Sequence, residues 1–211
     1  MKPDIGGAPE VTLVIASYRY GHLAAQAIES ALSQSRPFAK ILFVDDGVGD
    51  CAHLPALYPQ LEYVMRPKNL GVVANFQDML MRVDTPRVMF LGADNWLRDD
   101  TVEALSAVQA DVVTYDIFVT GNLRDEILSR HPSEVRRENG GWYWDRSAGH
   151  HGSMLYDTKR ARAVGGYDSA PGRTLEDQVL YQRLLRDGAR RVHVAEALLM
   201  YRRHSQNFNP C

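Results

Sequence analysis

Two short apolar segments of this chain each end in acidic residues, where carboxylates could bind a cation. Residues 87–91 read RVMFL and precede Ala93-Asp94-Asn95-Trp96, and residues 41–44 read ILFV and precede Asp45-Asp46. The carboxyl ends of strands in an open α/β sheet border the crevice in which ligands bind. Because hard divalent cations prefer oxygen ligands, the pattern predicts a site for a nucleotide and its cation, Mn²⁺ or Mg²⁺. The alternative is that Asp and Asn simply begin loops after strands.

A later acidic pair, Glu176-Asp177, stands near the start of a helical pattern over residues 175–186. A carboxylate in a cleft could accept the proton of an attacking hydroxyl group. The run Thr174-Leu175-Glu176-Asp177 also fits a helix N-cap followed three positions on by an acidic residue. Both roles can coexist, with Glu176 supporting the cap and Asp177 facing the cleft.

A nucleoside needs an aromatic face and a polar edge. Tyr18 lies in the turn that follows the apolar residues 11–16, and its ring could stack on a base. Asp46 could accept a hydrogen bond from a base N–H group or from the ribose. The alternatives are an aromatic side chain that flanks the core for Tyr18 and loop capping for Asp46.

The segments that must position these residues alternate between strand and helix patterns through the first half of the chain. Predicted strands cover residues 11–16, 41–44, 61–65, 87–91 and 111–115, and predicted helices cover residues 22–33, 72–83 and 99–109. This alternation predicts an α/β fold with a mostly parallel central sheet flanked by helices on both faces.

The second half of the chain has a less regular pattern. Residues 116–149 are charged and aperiodic and include Trp142-Tyr143-Trp144, which predicts a functional loop or structure that the pattern does not reveal. A strand is predicted over residues 153–156, followed by helices over residues 157–164 and 175–186.

Composition limits the classes of protein that the chain can represent. Its 211 residues, 45% hydrophobic and 24% charged, suit one soluble domain with a substantial core. The net charge of -2 gives no reason to expect nucleic acid as a partner. Two cysteines, Cys51 and Cys211, without metal-binding spacing argue against a disulfide scaffold or structural zinc and suit the cytoplasm. The first ten residues lack a signal peptide pattern, and no apolar run reaches the roughly 18 residues of a spanning helix. We therefore expect at most peripheral contact with the inner face of a membrane.

Seven short elements follow one another in an order that resembles a known family. They are Ala16-Ser17-Tyr18-Arg19, Asp45-Asp46-Gly47-Val48, Asn69-Leu70-Gly71 with Asn75-Phe76, Ala93-Asp94-Asn95-Trp96, Gly165-Gly166-Tyr167-Asp168, Glu176-Asp177 and Tyr201-Arg202-Arg203-His204. Each element alone is unspecific, but together they resemble the family-two inverting glycosyltransferases with a GT-A fold over nearly the whole chain. Ala93 and Val48 depart from the residues that this family often has at those positions.

The resemblance implies a single GT-A domain over residues 1–211, with a nucleotide-binding half at about 1–115 and an acceptor-binding half at about 116–211. It implies metal-dependent, inverting transfer of a sugar from a nucleotide-diphosphate donor to a hydroxyl group of a saccharide, lipid-linked or small-molecule acceptor. Such a transferase would serve the assembly of polysaccharides, glycolipids or glycosylated natural products. The resemblance is also compatible with a homodimer.

The resemblance also assigns roles to individual residues. It implies Asp94 and His204 as metal ligands, although His204 could equally be a hydrogen-bonded surface histidine, and Asp177 as the catalytic base with Glu176 beside it. The nucleotide-binding residues implied by the resemblance and by the spacing are Ser17, Tyr18, Asp45, Asp46, Asn69, Gly71, Asn75 and Asp94. Trp142, Trp144 and one of the adjacent histidines, His151, are candidate acceptor contacts, with burial or local hydrogen bonding as the alternative.

Other classes fit the sequence less well. A dinucleotide-dependent oxidoreductase needs a G-x-G-x-x-G turn after its first strand, and this chain has only Gly21 there. A sugar nucleotidyltransferase needs a Gly- and Arg-rich phosphate loop, which is also missing at that place. The main alternative is a non-catalytic nucleotide- or glycan-binding module with a GT-A fold, against which the presence of both Asp94 and Asp177 argues.

Overall fold

The computed structural model describes residues 10–139, 141–167 and 176–207. Its strands are β1 (Val11–Ser17), β2 (Lys40–Asp45), β3 (Glu62–Met65), β4 (Arg87–Gly92), β5 (Trp96–Leu97), β6 (Val112–Thr120), β7 (Val135–Glu138), β8 (Gly141–Trp144), β9 (Met154–Asp157) and β10 (Arg191–Arg202). Its helices are α1 (Ala24–Leu32), α2 (Leu54–Leu57), α3 (Val72–Arg82), α4 (Thr101–Ser106), α5 (Asp125–Arg130), α6 (Thr158–Ala163) and α7 (Glu176–Arg186), with a 3-10 turn at His151–Ser153. None of these helices has the length and apolar character needed to cross a bilayer.

The strands form one mixed sheet in the order β3-β2-β1-β4-β9-β6-β10-β5. The first four of these strands pair in parallel with one another. Strand β9 is antiparallel to both β4 and β6, whereas β6 and β10 are parallel. The α/β fold class predicted from the sequence is confirmed, and the parallel character is concentrated in the half of the sheet formed by β1 to β4.

Both faces of the sheet are covered, because successive strand residues point to opposite sides. In β1, Leu13 and Ile15 belong to a core cluster that includes residues of α1 and α4, while Val14 belongs to a second cluster that includes residues of α3, α6 and α7. The molecule therefore has helix, sheet and helix layers, with the sheet buried between two apolar cores.

The irregular stretch 116–149 contains structure that its sequence pattern does not reveal. Strand β6 continues to Thr120, and α5, β7 and β8 follow, with β8 pairing antiparallel to both β6 and β7. Strand β10 was also not predicted. Its pairing with β6 shifts register between Val194 and Ala197 and again between Ala197 and Leu199, which interrupts the alternation of apolar and polar residues.

The strand order creates a crevice at one edge of the sheet. From β1 the chain proceeds through β2 to β3 on one side and then crosses to β4 on the other side of β1. Ligands bind at such switch points, outside the carboxyl ends of the strands. The residues that follow β1 and β4, which include Tyr18 and Asp94, therefore lie beside this crevice.

Candidate active site

A pocket that is partly open to solvent occupies this crevice, and the empty space in it, open solvent included, is about 900 Å³. Eight residues predicted to bind nucleotide or metal or to act in catalysis line it, namely Ser17, Tyr18, Asp46, Asn69, Gly71, Asn75, Asp94 and Glu176. The remaining walls are Ala16, Tyr20, Val72, Phe76, Gly92, Asn95, His150, Tyr201 and Asn207. The structure thus brings residues from seven separate parts of the sequence to one cavity.

The Asp94 carboxylate lies at the floor of the pocket and is 6% exposed. Its Oδ1 atom accepts a hydrogen bond from the side-chain amide of Asn95 at 2.8 Å, and its Oδ2 atom accepts one from the amide of Asn207 at 2.9 Å. A Cβ atom at Gly92 would lie 2.7 Å from Asp94 Oδ1, so the end of β4 requires glycine to give this side chain room.

His204 approaches the same carboxylate from the end of β10. Its Nε2 atom lies 3.3 Å from Asp94 Oδ2, and its ring meets Tyr20 edge-on with centroids 5.6 Å apart. A carboxylate oxygen beside an imidazole nitrogen is a mixed donor pair of the kind that binds divalent transition ions. The two residues that the sequence suggested as metal ligands are therefore adjacent, and their chemistry fits a divalent transition ion.

Asp46 and the loop after β3 form the opposite wall. The Leu70 N–H group donates to Asp46 Oδ1 at 3.0 Å, and Arg66 Nε lies 3.4 Å from the same atom. Burial raises the pKa of the Asp46 carboxyl above its ordinary value, and the Leu70 N–H group and the Arg66 guanidinium partly oppose this. Tyr18 also lines the pocket, is half-buried and stacks with Arg19, whose guanidinium is 5.0 Å from the ring centroid.

Two of the residues predicted to bind nucleotide, Asp45 and Asn75, use their side chains in hydrogen bonds within the protein. Asp45 does not line the pocket, because its carboxylate accepts hydrogen bonds from the backbone N–H groups of Val48, Gly49 and Cys51 and so shapes the loop after β2. Asn75 lines the pocket, but its Oδ1 atom accepts from Arg66 Nε at 3.0 Å.

Asn69 and Gly71 shape the rim of this wall. The Gly71 N–H group donates to Asn69 Oδ1, and Gly71 has a φ of 79°, which a residue with a side chain rarely adopts. The Asn-x-Gly element therefore fixes the turn that begins α3 and carries Leu70 to Asp46.

The acidic pair at the start of α7 divides between two environments. Glu176 lines the pocket and is 5% exposed, whereas Asp177, which was predicted to face the cleft, is not among the described residues that line it. Asp177 is 8% exposed, accepts the Gln178 N–H group at 2.7 Å and interacts electrostatically with Arg146. Residues 168–175 lie outside the described residues, so Asp168 and the Thr174 cap are not placed.

Aromatic side chains form another part of the pocket wall. His150 and Tyr201 line the cavity, and Trp144 lies behind them with ring centroids 6.3 and 6.2 Å away. The Arg146 guanidinium stacks on Trp144 at 4.4 Å. Trp142 is partly buried against the core and stacks with Arg137 instead. His151 lies in the 3-10 turn, and its side chain lies outside the described part of the structure.

Several lining residues received no role from the sequence. Tyr20, His150 and Asn207 reach the pocket through the tertiary fold, and Asn207 is 113 residues from the carboxylate that it contacts. Asn95 had a sequence signal because it directly follows Asp94, and Ala16, Phe76 and Tyr201 belong to the short elements that carry the family resemblance.

A second group of acidic residues and histidine lies outside the pocket. Oxygen atoms of Asp116 and Asp145 and a ring nitrogen of His193 lie within 4.8 Å of one another. Asp116 already pairs with Arg136 at 3.3 Å and with His193 at 3.3 Å, and it accepts the Arg146 N–H group. These contacts satisfy its carboxylate, so this group is a structural ion-pair network.

Two solved structures are similar to this chain over nearly its whole length. The structure of S. aureus TarS 1–349 in complex with UDP-GlcNAc is similar with a TM-score of 0.75 at 15% identity, over 94% of this chain and 60% of that one. The mannosyltransferase PcManGT from Pyrobaculum calidifontis, in complex with GDP-Man and Mn²⁺, is similar with a TM-score of 0.68 at 15% identity, over 96% of this chain and 59% of that one. At such identities the likeness concerns the fold, and the chain spans about three fifths of the length of these two proteins.

The sequence itself gives the family. No curated protein matches the chain at a significant level. The family model described as Glycosyl transferase family 2 matches residues 12–162, which include most of β1, all of β4, Asp46 and Asp94. The chain has the GT-A fold and belongs to glycosyl transferase family 2.

Proposed function

We propose that this chain is a metal-dependent, inverting glycosyltransferase that moves a sugar from a nucleotide-diphosphate donor to a hydroxyl group of an acceptor. The observation that carries the proposal is the buried Asp94 carboxylate, which faces the switch-point pocket beside His204. The ligands bound in the similar structures, UDP-GlcNAc in TarS and GDP-Man with Mn²⁺ in PcManGT, support this donor class.

The nucleoside end of the donor is assigned to the wall formed by Tyr18 and Asp46. The Tyr18 ring stacks on the base, and the Asp46 carboxylate accepts from a base N–H group or the ribose. Asp46 is held against Leu70 and Arg66, so its oxygen atoms keep a fixed direction toward the pocket.

Asp94 and His204 would hold the divalent cation. A bound cation would neutralise the negative charge that develops on the departing diphosphate. Asp94 follows the end of β4, which pairs with the end of β1 next to Ser17 and Tyr18. The diphosphate of a donor bound at Asp46 would therefore extend toward Asp94.

The base is assigned to the start of α7. Inversion requires that one carboxylate takes the proton of the acceptor hydroxyl while its oxygen bonds to the anomeric carbon and the bond from that carbon to the diphosphate oxygen breaks. We assign this role to Asp177, with Glu176 at the pocket wall as its neighbour. The rings of His150 and Tyr201, with Trp144 behind them, offer stacking surfaces for a saccharide, lipid-linked or small-molecule acceptor.

A direct test combines ligand screening with one variant pair. Nucleotide sugars are screened by thermal shift with Mn²⁺, because a ligand that prefers the folded state raises the melting temperature. The stabilising donor is then assayed for hydrolysis and transfer with Mn²⁺ and with chelator.

Asp94→Ala should lose metal-dependent turnover, whereas Asp99→Ala, which changes an exposed carboxylate nearby, should retain it. Asp94→Ala should also lower the free energy of unfolding by about 1–3 kcal/mol, because two buried amides lose their acceptor. Donor binding without any metal-dependent turnover would favour the non-catalytic binding module instead.

A further inference from the structure

The turn that follows β10 contacts Asp94 through the side-chain amide of Asn207 as well as through His204. Asn207 is 7% exposed, and its Nδ2 atom donates to Asp94 Oδ2 at 2.9 Å and to the Arg202 carbonyl at 3.0 Å. Its Oδ1 atom accepts the His204 N–H group at 2.7 Å and Arg203 Nη1 at 3.1 Å. All four contacts of one amide are therefore internal to this turn and the carboxylate.

These contacts also determine which way the amide faces. An amide rotated by half a turn would place its NH₂ group against two N–H donors and its oxygen against two oxygen acceptors. The hydrogen bonds thus specify asparagine, since a carboxylate would oppose Asp94 with like charge and a shorter side chain would not reach it.

Asn95 mirrors Asn207 on the other side of the carboxylate. Its Nδ2 atom donates to Asp94 Oδ1 at 2.8 Å, and its Oδ1 atom accepts the Arg202 N–H group at 2.9 Å. The two amides therefore hold the two oxygen atoms of Asp94, and both are anchored to the backbone of Arg202. The Asn95 amide leaves Oδ1 a second lone pair, while Oδ2 lies between the Asn207 amide and His204 Nε2, which is 3.3 Å away.

An ion pair between Arg203 and Glu126 also links the turn after β10 to α5. Arg203 is 1% exposed, and its Nη2 atom contacts Glu126 Oε2 of α5 at 2.9 Å. The Glu126 carboxylate, the Arg203 guanidinium and the Asn207 amide thus form a continuous polar chain to Asp94. Groups that orient a metal ligand in this way typically change metal affinity when they are removed.

We propose that Asn207 and Asn95 are positioning residues that orient the Asp94 carboxylate for the cation, and that Asn207 also places His204 through its backbone. This inference rests on the proposed role of Asp94 as a metal ligand. It assigns a function to the turn after β10, which the sequence pattern did not connect with Asp94.

The test measures Mn²⁺ binding separately from nucleotide binding. Free Mn²⁺ is quantified by electron paramagnetic resonance in the presence of UDP or GDP, whichever stabilises the parent protein. Nucleotide affinity is measured by calorimetry in chelator. Asn207→Ala should raise the Kd for Mn²⁺ by about 10-fold or more, the usual scale for losing such a partner, and leave the metal-free nucleotide Kd within about twofold. Gln206→Ala, which changes an exposed side chain of the same turn, should match the parent in both.

Each outcome bears on the proposal. An Asn207→Ala variant that binds Mn²⁺ like the parent, or that loses metal and metal-free nucleotide binding together, would overturn it. If Asn207→Ala does not fold, Asn95→Ala removes the amide on the other oxygen, and an unchanged Kd for Mn²⁺ there would overturn it equally. A parent protein that binds no Mn²⁺ would overturn both the inference and the proposed metal site, whereas a binding parent with parent-like variants removes only the positioning role.

Discussion

At the scale of single residues, Asp177 has two interpretations that make opposite predictions. Asp177→Asn keeps the shape of the side chain and its capacity to cap a helix while removing proton acceptance. If Asp177 is the base, kcat should fall by roughly 100-fold or more with donor and metal binding nearly unchanged. A capping role alone would instead leave turnover near normal and change stability by about 1 kcal/mol or less. Glu176→Gln is the matched comparison, and normal turnover in Asp177→Asn with a large loss in Glu176→Gln would move the base by one residue.

Burial of the Asp46 carboxyl should lower the free energy of unfolding near neutral pH. Because burial raises its pKa above the ordinary value of 3.8, the native protein holds this proton to a higher pH than the unfolded chain does. Ionisation as the pH rises therefore lowers the free energy of unfolding. Asp46→Asn should melt at a higher temperature than the parent near neutral pH, and the difference should disappear below pH 3.8, where both side chains are neutral. Calorimetry should show weaker nucleotide binding in the same variant. A lower melting temperature at neutral pH would contradict this account of Asp46.

The sequence predicted the carboxylates of the site better than the groups that orient them. Asp94 and Asp46 follow apolar strands, and this local pattern was enough to place both at the pocket. Asn207 and Tyr20 gave no such signal, because their contacts with the site depend on how the turn after β10 packs against the turn after β1. The pattern also pointed to His151 of the adjacent histidines, whereas the described structure places the side chain of His150 at the pocket.

At the scale of elements, strands were predictable where alternation or a continuous apolar run was intact. Strands β1, β2 and β4 are flanked on both faces by helices, so their apolar runs are unbroken. Strand β10 contains two register shifts, and β7 has three exposed residues of its four, so neither shows a regular apolar pattern. The stretch 116–149 was irregular for the same reason, since β8 buries aromatic side chains against stacked arginines rather than in alternation with polar residues.

The contact between the start of this stretch and the turn after β10 can be tested with two glycines. Gly121 has a φ of 93°, and a Cβ atom there would lie 2.3 Å from the Arg203 carbonyl oxygen. Gly49 has a similar φ of 81°, but nothing lies within 4 Å of its Cβ position. Gly49→Ala should therefore cost only the backbone strain of about 1–2 kcal/mol, while Gly121→Ala should cost more and also weaken Mn²⁺ binding through Arg203. Equal melting temperatures for the two variants would show that the close approach to Arg203 is readily relieved.

At the scale of the whole molecule, the two halves of the chain share one sheet and one site. Strand β9 lies antiparallel between β4 and β6, and β10 runs beside β6 to deliver His204 and Asn207 to the Asp94 carboxylate. The switch point between β1 and β4 is a property of the strand order, which explains why short motifs far apart in the sequence meet there. Sequence patterns predicted the first half of this arrangement, but the return of the chain to Asp94 depends on long-range pairing that no local pattern encodes.

The buried thiol of Cys51 offers a probe of how the whole fold responds to ligand. Cys51 is fully buried, its Sγ atom lies 3.4 Å from the hydroxyl of Ser17 at the pocket, and burial raises its pKa to about 12. Below that pH the native thiol is neutral and shielded, so a thiol reagent should react only when the structure opens. In a Cys211→Ser background, labelling should be slow in native protein and fast in denaturant. Its rate should rise with pH as for an ordinary thiol of pKa 9.0, because the reacting species is the open state.

Ligand binding should slow this reaction further. When opening removes the binding site, a nucleotide and Mn²⁺ at about 100 times their Kd should reduce labelling by about 100-fold, equivalent to roughly 2.7 kcal/mol. Gly49→Ala, which destabilises the loop between Asp45 and Cys51 without filling the pocket, should label faster than the parent and keep the same ratio with and without ligand. Labelling that is fast in the native protein, or that ligand does not slow, would mean that the loop carrying Cys51 opens independently of the nucleotide site.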